Sequence, residues 1–141
     1  MSKPSASSTL YRLIEAGQLA HQALLVPLVE RGLEAGDDAM LFVLAERHGA
    51  TETVLAAELG IDTEAANARV ERLIERDLVA RRAVGPDLTL GLALTERGER
   101  IRQLLADNWV ELENALFGEF KKKRRKWLGD ALARFVDLLR L

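Results

Sequence analysis

Few residues in this sequence have the type and spacing to do chemistry on a substrate. His21 and His48 are its two histidines, and no third ligand stands at a spacing that would complete a metal site. Asp37 and Asp38 are adjacent, but they sit where a helix should begin. There two carboxylates complement the helix dipole more readily than they form an acid–base pair. No nucleophile stands beside a base, and no Gly-rich loop is shaped to cradle phosphate. Cysteine is absent, so disulfides, thiolate–metal sites and thiol redox switches are excluded. The reading is therefore of no catalytic residue, no metal and no cofactor, and of a protein that is not an enzyme. The side chains with most to offer are cations: the run KKKRRK at 121–126, the pair Arg81–Arg82, and Arg69 and Arg72 within a polar helix. Basic runs of this kind are solvated or hold nucleic-acid phosphates.

The charge balance limits how such cations can act. The 141 residues carry a net charge of −2. From Gly118 onward there are eight Lys and Arg against three Asp and Glu, so the preceding part is acidic. Any nucleic-acid surface must then rest on local clusters of cations and not on an overall positive field. Nearly half the residues are apolar, with Leu, Ala and Val prominent and aromatics scarce, which favours helices over sheets. No apolar stretch approaches the roughly 18 residues of a membrane span. Residues Met1 to Ser8 lack the apolar segment of a signal peptide and read as a flexible arm. No membrane partner is expected, and the chain suits the cytoplasm.

The elements that position the cations follow from apolar periodicity. Leu10 to Gly32 reads as one long helix with Pro27 kinking it. Glu34-Ala35-Gly36 breaks the pattern, and Asp37 and Asp38 open a second helix that carries Met40, Leu41, Val43 and Leu44 and ends at Gly49. Thr51 is the N-cap of a short third helix with Val54, Leu55 and Leu59, stopped by Gly60. Asp62 caps a fourth that runs to about Arg76, with Ala66, Val70, Leu73 and Ile74 as its buried stripe. Leu78–Val84 and Leu88–Thr95 flank Gly85-Pro86-Asp87, which predicts a hairpin of two short strands. From Thr95 the period is helical again through Ile101, Leu104, Leu105, Trp109, Leu112 and Leu116. The basic run follows, and then a last helix with Trp127, Leu128, Leu132, Phe135, Val136 and Leu139. Trp109 and Trp127 read as core or interface packing, with the wall of a ligand pocket as the alternative.

Helix, short helix, tight turn, helix and hairpin form the order of a winged helix-turn-helix. In that arrangement the fourth helix lies in the DNA major groove and presents the face opposite Ala66, Val70 and Leu73. The stretches LAAELGID at 55–62, RVERLIERDLVARR at 69–82 and LALTERGERI at 92–101, with the long flanking helices, resemble the MarR-type (multiple antibiotic resistance) regulators. The resemblance implies a mainly α (α+β) fold, with a winged-helix lobe at about 37–95. Long dimerisation helices would occupy about 9–33 and 96–141, all within a single domain spanning 9–141. It implies a bacterial, cytoplasmic transcription regulator that binds double-stranded DNA at a pseudo-palindromic operator as a homodimer.

By position, Thr63, Glu64, Asn67 and Ala68 match the groove-facing residues of such regulators. Asn67 then suits adenine and Glu64 suits cytosine N4. Arg69, Arg72, Arg81 and Arg82 are the expected phosphate contacts. This chain has Ala68 where a cation is common, Asp77 where Gly follows the recognition helix, and no cation at 85–89 in the wing. A small-molecule effector is also implied, with His21, Arg102 and Trp109 as candidate pocket residues. The basic run Lys121 to Lys126 falls at the dimer end by the same analogy. The competing reading is a winged-helix dimer that works mainly as a protein-interaction module, with weak or no specific DNA binding.

Overall fold

The structure, a computed structural model, describes Ser5, residues 7–84 and residues 89–140. Among the described residues, six helices and one antiparallel strand pair follow one another: α1 (Thr9–Glu30), α2 (Asp37–Glu46), α3 (Glu52–Leu59), α4 (Thr63–Glu75), β1 (Val79–Val84), β2 (Thr89–Leu94), α5 (Glu96–Phe117) and α6 (Lys122–Leu139). The architecture is mainly helical with a small sheet, as the sequence predicted. The Gly85-Pro86-Asp87 turn lies outside the described residues. The chain groups into two compact units, one up to Asn108 and one from Trp109.

Local chemistry sets the boundaries in the first unit. Ser8 Oγ accepts from the Tyr11 amide at 3.3 Å, Thr51 Oγ1 from the Val54 amide at 3.4 Å, and Asp62 Oδ1 from the Ala65 amide at 2.7 Å. Each satisfies an amide that the first helical turn leaves without a partner. Gly60 ends α3 in the left-handed conformation at φ +68°, and the Ile61 amide returns to the Ala56 carbonyl. That tight turn separates α3 from α4. Asp77 also adopts a left-handed conformation, φ +59°, where α4 gives way to β1.

The strand pair carries a bridge that the hairpin read from sequence did not include. Val79 pairs with Leu94 and Val84 with Thr89, while Ala50 bridges to Leu92 on the other edge of β2. The Gly49 amide donates to the Leu92 carbonyl at 2.8 Å, and the Leu92 amide to the Ala50 carbonyl at 2.9 Å. Gly91 sits directly against this segment, and a Cβ there would collide with the Gly49 carbonyl. Gly91, Leu92 and Ala93 are all buried, which accounts for the weak alternation of β2 in the sequence.

An apolar cluster holds this unit together: Leu28 from the end of α1, Leu33 just after it, Met40, Leu41 and Leu44 from α2, Leu55 from α3, Val70 and Leu73 from α4, then Leu78, Val79, Leu92 and Leu105. Thr95 locks the entry of α5, since its hydroxyl donates to the Asp77 carbonyl at 2.6 Å and accepts from the Gly98 amide at 2.9 Å.

In the second unit, the basic run is not a connection before the last helix. Lys122 to Lys126 form the first turns of α6, with Lys121 as N-cap. Lys and Arg are good helix formers, and two of the charges are balanced nearby. Arg125 meets Glu113 at 3.1 Å and lies over the Phe117 ring, and Lys126 meets Asp130 at 3.1 Å. Phe117 and Phe120 pack edge to face. No residue of α6 is fully buried.

Candidate nucleic-acid interface

The site begins with α4. Its inner stripe, Ala66, Val70 and Leu73, is buried in the core, which commits the opposite side of the helix to solvent. Thr63, Glu64, Asn67 and Ala68 all lie on exposed positions of this helix, so the four residues expected to meet bases are brought together at its N-terminal end. Glu71 and Glu75 continue the exposed surface toward the C-terminus.

The four arginines expected to hold phosphates are placed in different surroundings. Arg69 and Arg72 are half-buried and turn toward α2, not outward. Arg72 Nη2 donates to Asp37 Oδ1 in a very short ion pair, and its Nη1 lies 3.5 Å from the Glu34 carboxylate. Arg69 Nε is 3.8 Å from the same Asp37 oxygen. Asp37 is wholly buried. Burial pushes its carboxyl pKa up, against the Glu34 amide and the two guanidiniums, which pull it down.

Arg81 is exposed but engaged. It donates to Glu52 of α3 and, at 2.7 Å, to Glu71 of α4. Slight burial would raise the Glu52 carboxyl, but the Arg81 hydrogen bond holds it below the ordinary range. Arg82, the next residue on β1, falls on the opposite side of the strand. It borders a depression of about 450 Å³ with His48, Thr95, Glu96 and Glu99. Three of the four expected phosphate ligands therefore already have carboxylate partners within the chain, and the exposed side of α4 carries three glutamates.

No family model matches the sequence, and no curated protein matches it. Solved structures do. A MarR-family transcriptional regulator from Rhodococcus sp. RHA1 aligns at TM-score 0.76 and 24% identity, over 93% of this chain and 95% of that one. The S. aureus MepR–DNA complex aligns at TM-score 0.82 and 15% identity, over 96% and 99%. CouR from Rhodococcus jostii RHA1, bound to p-coumaroyl-CoA, aligns at TM-score 0.80 and 24% identity, over 93% of each chain. This chain has the MarR-type winged-helix fold. Its lobe is built as that fold requires, with α3, the Gly60 turn and α4 backed by the sheet.

Asp37, Glu52 and Glu71 are the residues of this MarR-type lobe that sequence reasoning missed as partners. They pair with arginines 10 to 35 positions away, and no local pattern signals such a pairing. The effector candidates are divided. His21 is exposed on α1 and Arg102 is half-buried on α5, both in the first unit, while Trp109 belongs to the second. Arg102 is tied to Glu99 by a very short ion pair and a second hydrogen bond, which holds the Glu99 carboxyl pKa down. In the second unit, Lys121, Lys123 and Arg124 border an apolar groove of about 630 Å³ formed with Phe120, Trp127 and Leu128. Among the described residues no helix is long and apolar enough to cross a membrane.

Proposed function

We propose that the protein is a DNA-binding transcription regulator that acts as a homodimer on a pseudo-palindromic operator in the bacterial cytoplasm. The observation that carries this reading is the capped, core-anchored α4, which exposes Thr63, Glu64, Asn67 and Ala68 together. In this reading the lobe of about 37–95 meets DNA, and the helices at about 9–33 and 96–141 dimerise. Exposed Leu10, Ile14 and Leu19 on α1, and Trp127, Val136 and Leu139 on α6, supply the apolar surface that a second copy would cover. The complexes of MepR with DNA and of CouR with p-coumaroyl-CoA support DNA as the target and a small ligand as a modulator. The chain then acts by binding and not by catalysis.

Selection from random double-stranded DNA tests the reading, and a pseudo-palindromic site should be enriched. On that site Asn67→Ala should cost about 1–3 kcal/mol, with little change on unrelated DNA. Loss of affinity on all sequences alike would mean that Asn67 does not read a base.

A second reading, a protein-interaction module, is favoured by the carboxylates that occupy Arg81 and line α4. One substitution separates the two. Glu71→Gln removes one of the two carboxylates that hold Arg81 and reduces the negative charge of the face. For a DNA binder it should raise affinity for all duplexes and steepen the salt dependence by about one phosphate contact. Unchanged DNA binding, combined with no enriched site, would favour the interaction module.

A further inference from the structure

We propose that Asp37 is a positioning residue for DNA recognition: with Arg72 and Arg69 it forms a buried ionic clamp that orients α4 from the junction between α1 and α2. This inference rests on the DNA-binding reading above.

The clamp joins two elements through one carboxylate. Asp37 Oδ2 accepts from the Glu34 amide at 2.8 Å and closes the turn between α1 and α2. Oδ1 receives Arg72 Nη2 and faces Arg69 Nε at 3.8 Å. Arg69 Nη1 also donates to the Gly36 carbonyl at 3.5 Å. Arg69 and Arg72 are three residues apart, so they lie on one flank of α4. That flank is neither the buried stripe nor the exposed end that carries Asn67.

The backbone beside the clamp is suited to it. Gly36 holds φ +92°, and a Cβ there would come within 2.6–2.9 Å of the Arg69 guanidinium. Glycine therefore supplies both the left-handed turn and the space for the arginine.

Packing holds α4 chiefly against α3 and β1, and its Val70 and Leu73 share one apolar cluster with Met40 and Leu41 of α2. The buried stripe sets which face of α4 points inward, and charge-assisted hydrogen bonds, being directional where apolar burial is not, add a finer restraint on rotation about its axis. A helix with its side chains has a radius of about 5–6 Å, so a turn of roughly 10° moves a side-chain tip by about 1 Å. That displacement exceeds what a bidentate contact to a base tolerates.

The deciding experiment replaces the pair by apolar residues, Asp37→Leu with Arg72→Met, beside Asp37→Asn alone. Apolar replacement of a buried ion pair commonly preserves or raises stability, so folding is not the readout. Melting temperature, dimer mass, and the ratio of specific to non-specific DNA affinity are measured for each variant. Amide chemical shifts of the free proteins are recorded as well. The clamp predicts a double variant that melts no lower than wild type but loses roughly tenfold or more in the affinity ratio. Its amide shifts should change at residues 63–68 and stay fixed around Leu105. A double variant that keeps the ratio overturns the proposal. If wild type itself selects no DNA site, the DNA-binding reading fails first. Unchanged shifts at 63–68 would then overturn the clamp as well, and shifted ones would support the orienting of α4.

Discussion

Val136→Asp in α6 should yield a folded monomer whose affinity for a two-half-site operator is about 10²- to 10⁴-fold below wild type. The range is the gain expected when two binding modules are joined. Val136 is among several large apolar residues of α6 that face solvent in the single chain, with Trp127 68% and Leu139 83% exposed. No residue of this helix is fully buried. Large apolar side chains left exposed in this number on one helix suit an interface, and stable interfaces bury about 1,200–2,000 Å² in total. A carboxylate placed among them and covered by a second copy would have to be desolvated without a partner, which opposes association strongly. Light scattering reports the mass, and titration of single and paired half-sites reports the affinity. Affinity for one half-site should stay near wild type, because Val136 lies far along the chain from the lobe. A wild-type protein that is already a monomer at micromolar concentration would remove the basis of the prediction.

Leu73→Ala should cost about 2–5 kcal/mol of stability, a large share of the 5–15 kcal/mol that holds a typical domain. Leu73 is wholly inaccessible on the inner stripe of α4 and belongs to the same apolar cluster as Leu41, Leu55 and Val79. Truncation removes its transfer free energy and leaves a cavity between packed helices that can close only in part. Urea titration gives the size of the loss. A change below 1 kcal/mol would show that the core re-forms around the gap. Operator binding at low temperature, where the variant is still folded, should fall less than for Asn67→Ala, because Leu73 touches no solvent and can meet no base.

The outline of this protein was legible because its signals are local. Thr51 and Asp62 cap their helices through a hydroxyl or carboxylate reaching three residues onward, and Gly60 supplies a backbone conformation other residues adopt at a cost. Asp77 also takes a left-handed conformation, which Asp adopts more readily than most residues. The buried stripe Ala66, Val70 and Leu73 follows from the helical period alone, and with it the exposure of Thr63, Glu64, Asn67 and Ala68.

The basic run was placed less well. A cluster of like charges looks unfavourable in a helix until Glu113, from the preceding helix, and Asp130, one turn onward, are known to lie beside it.

What only the tertiary structure decided is where the arginines point. From sequence, Arg69, Arg72, Arg81 and Arg82 are equivalent cations near a recognition helix. In the folded chain Arg69 and Arg72 close on buried Asp37, Arg81 bridges Glu52 and Glu71, and Arg82 faces the other side of the sheet. Backbone conformation is set by neighbours within about four residues, which the sequence displays side by side. The direction of a long charged side chain depends on which carboxylate the packing of distant elements brings within about 4 Å, and on how much water that packing removes.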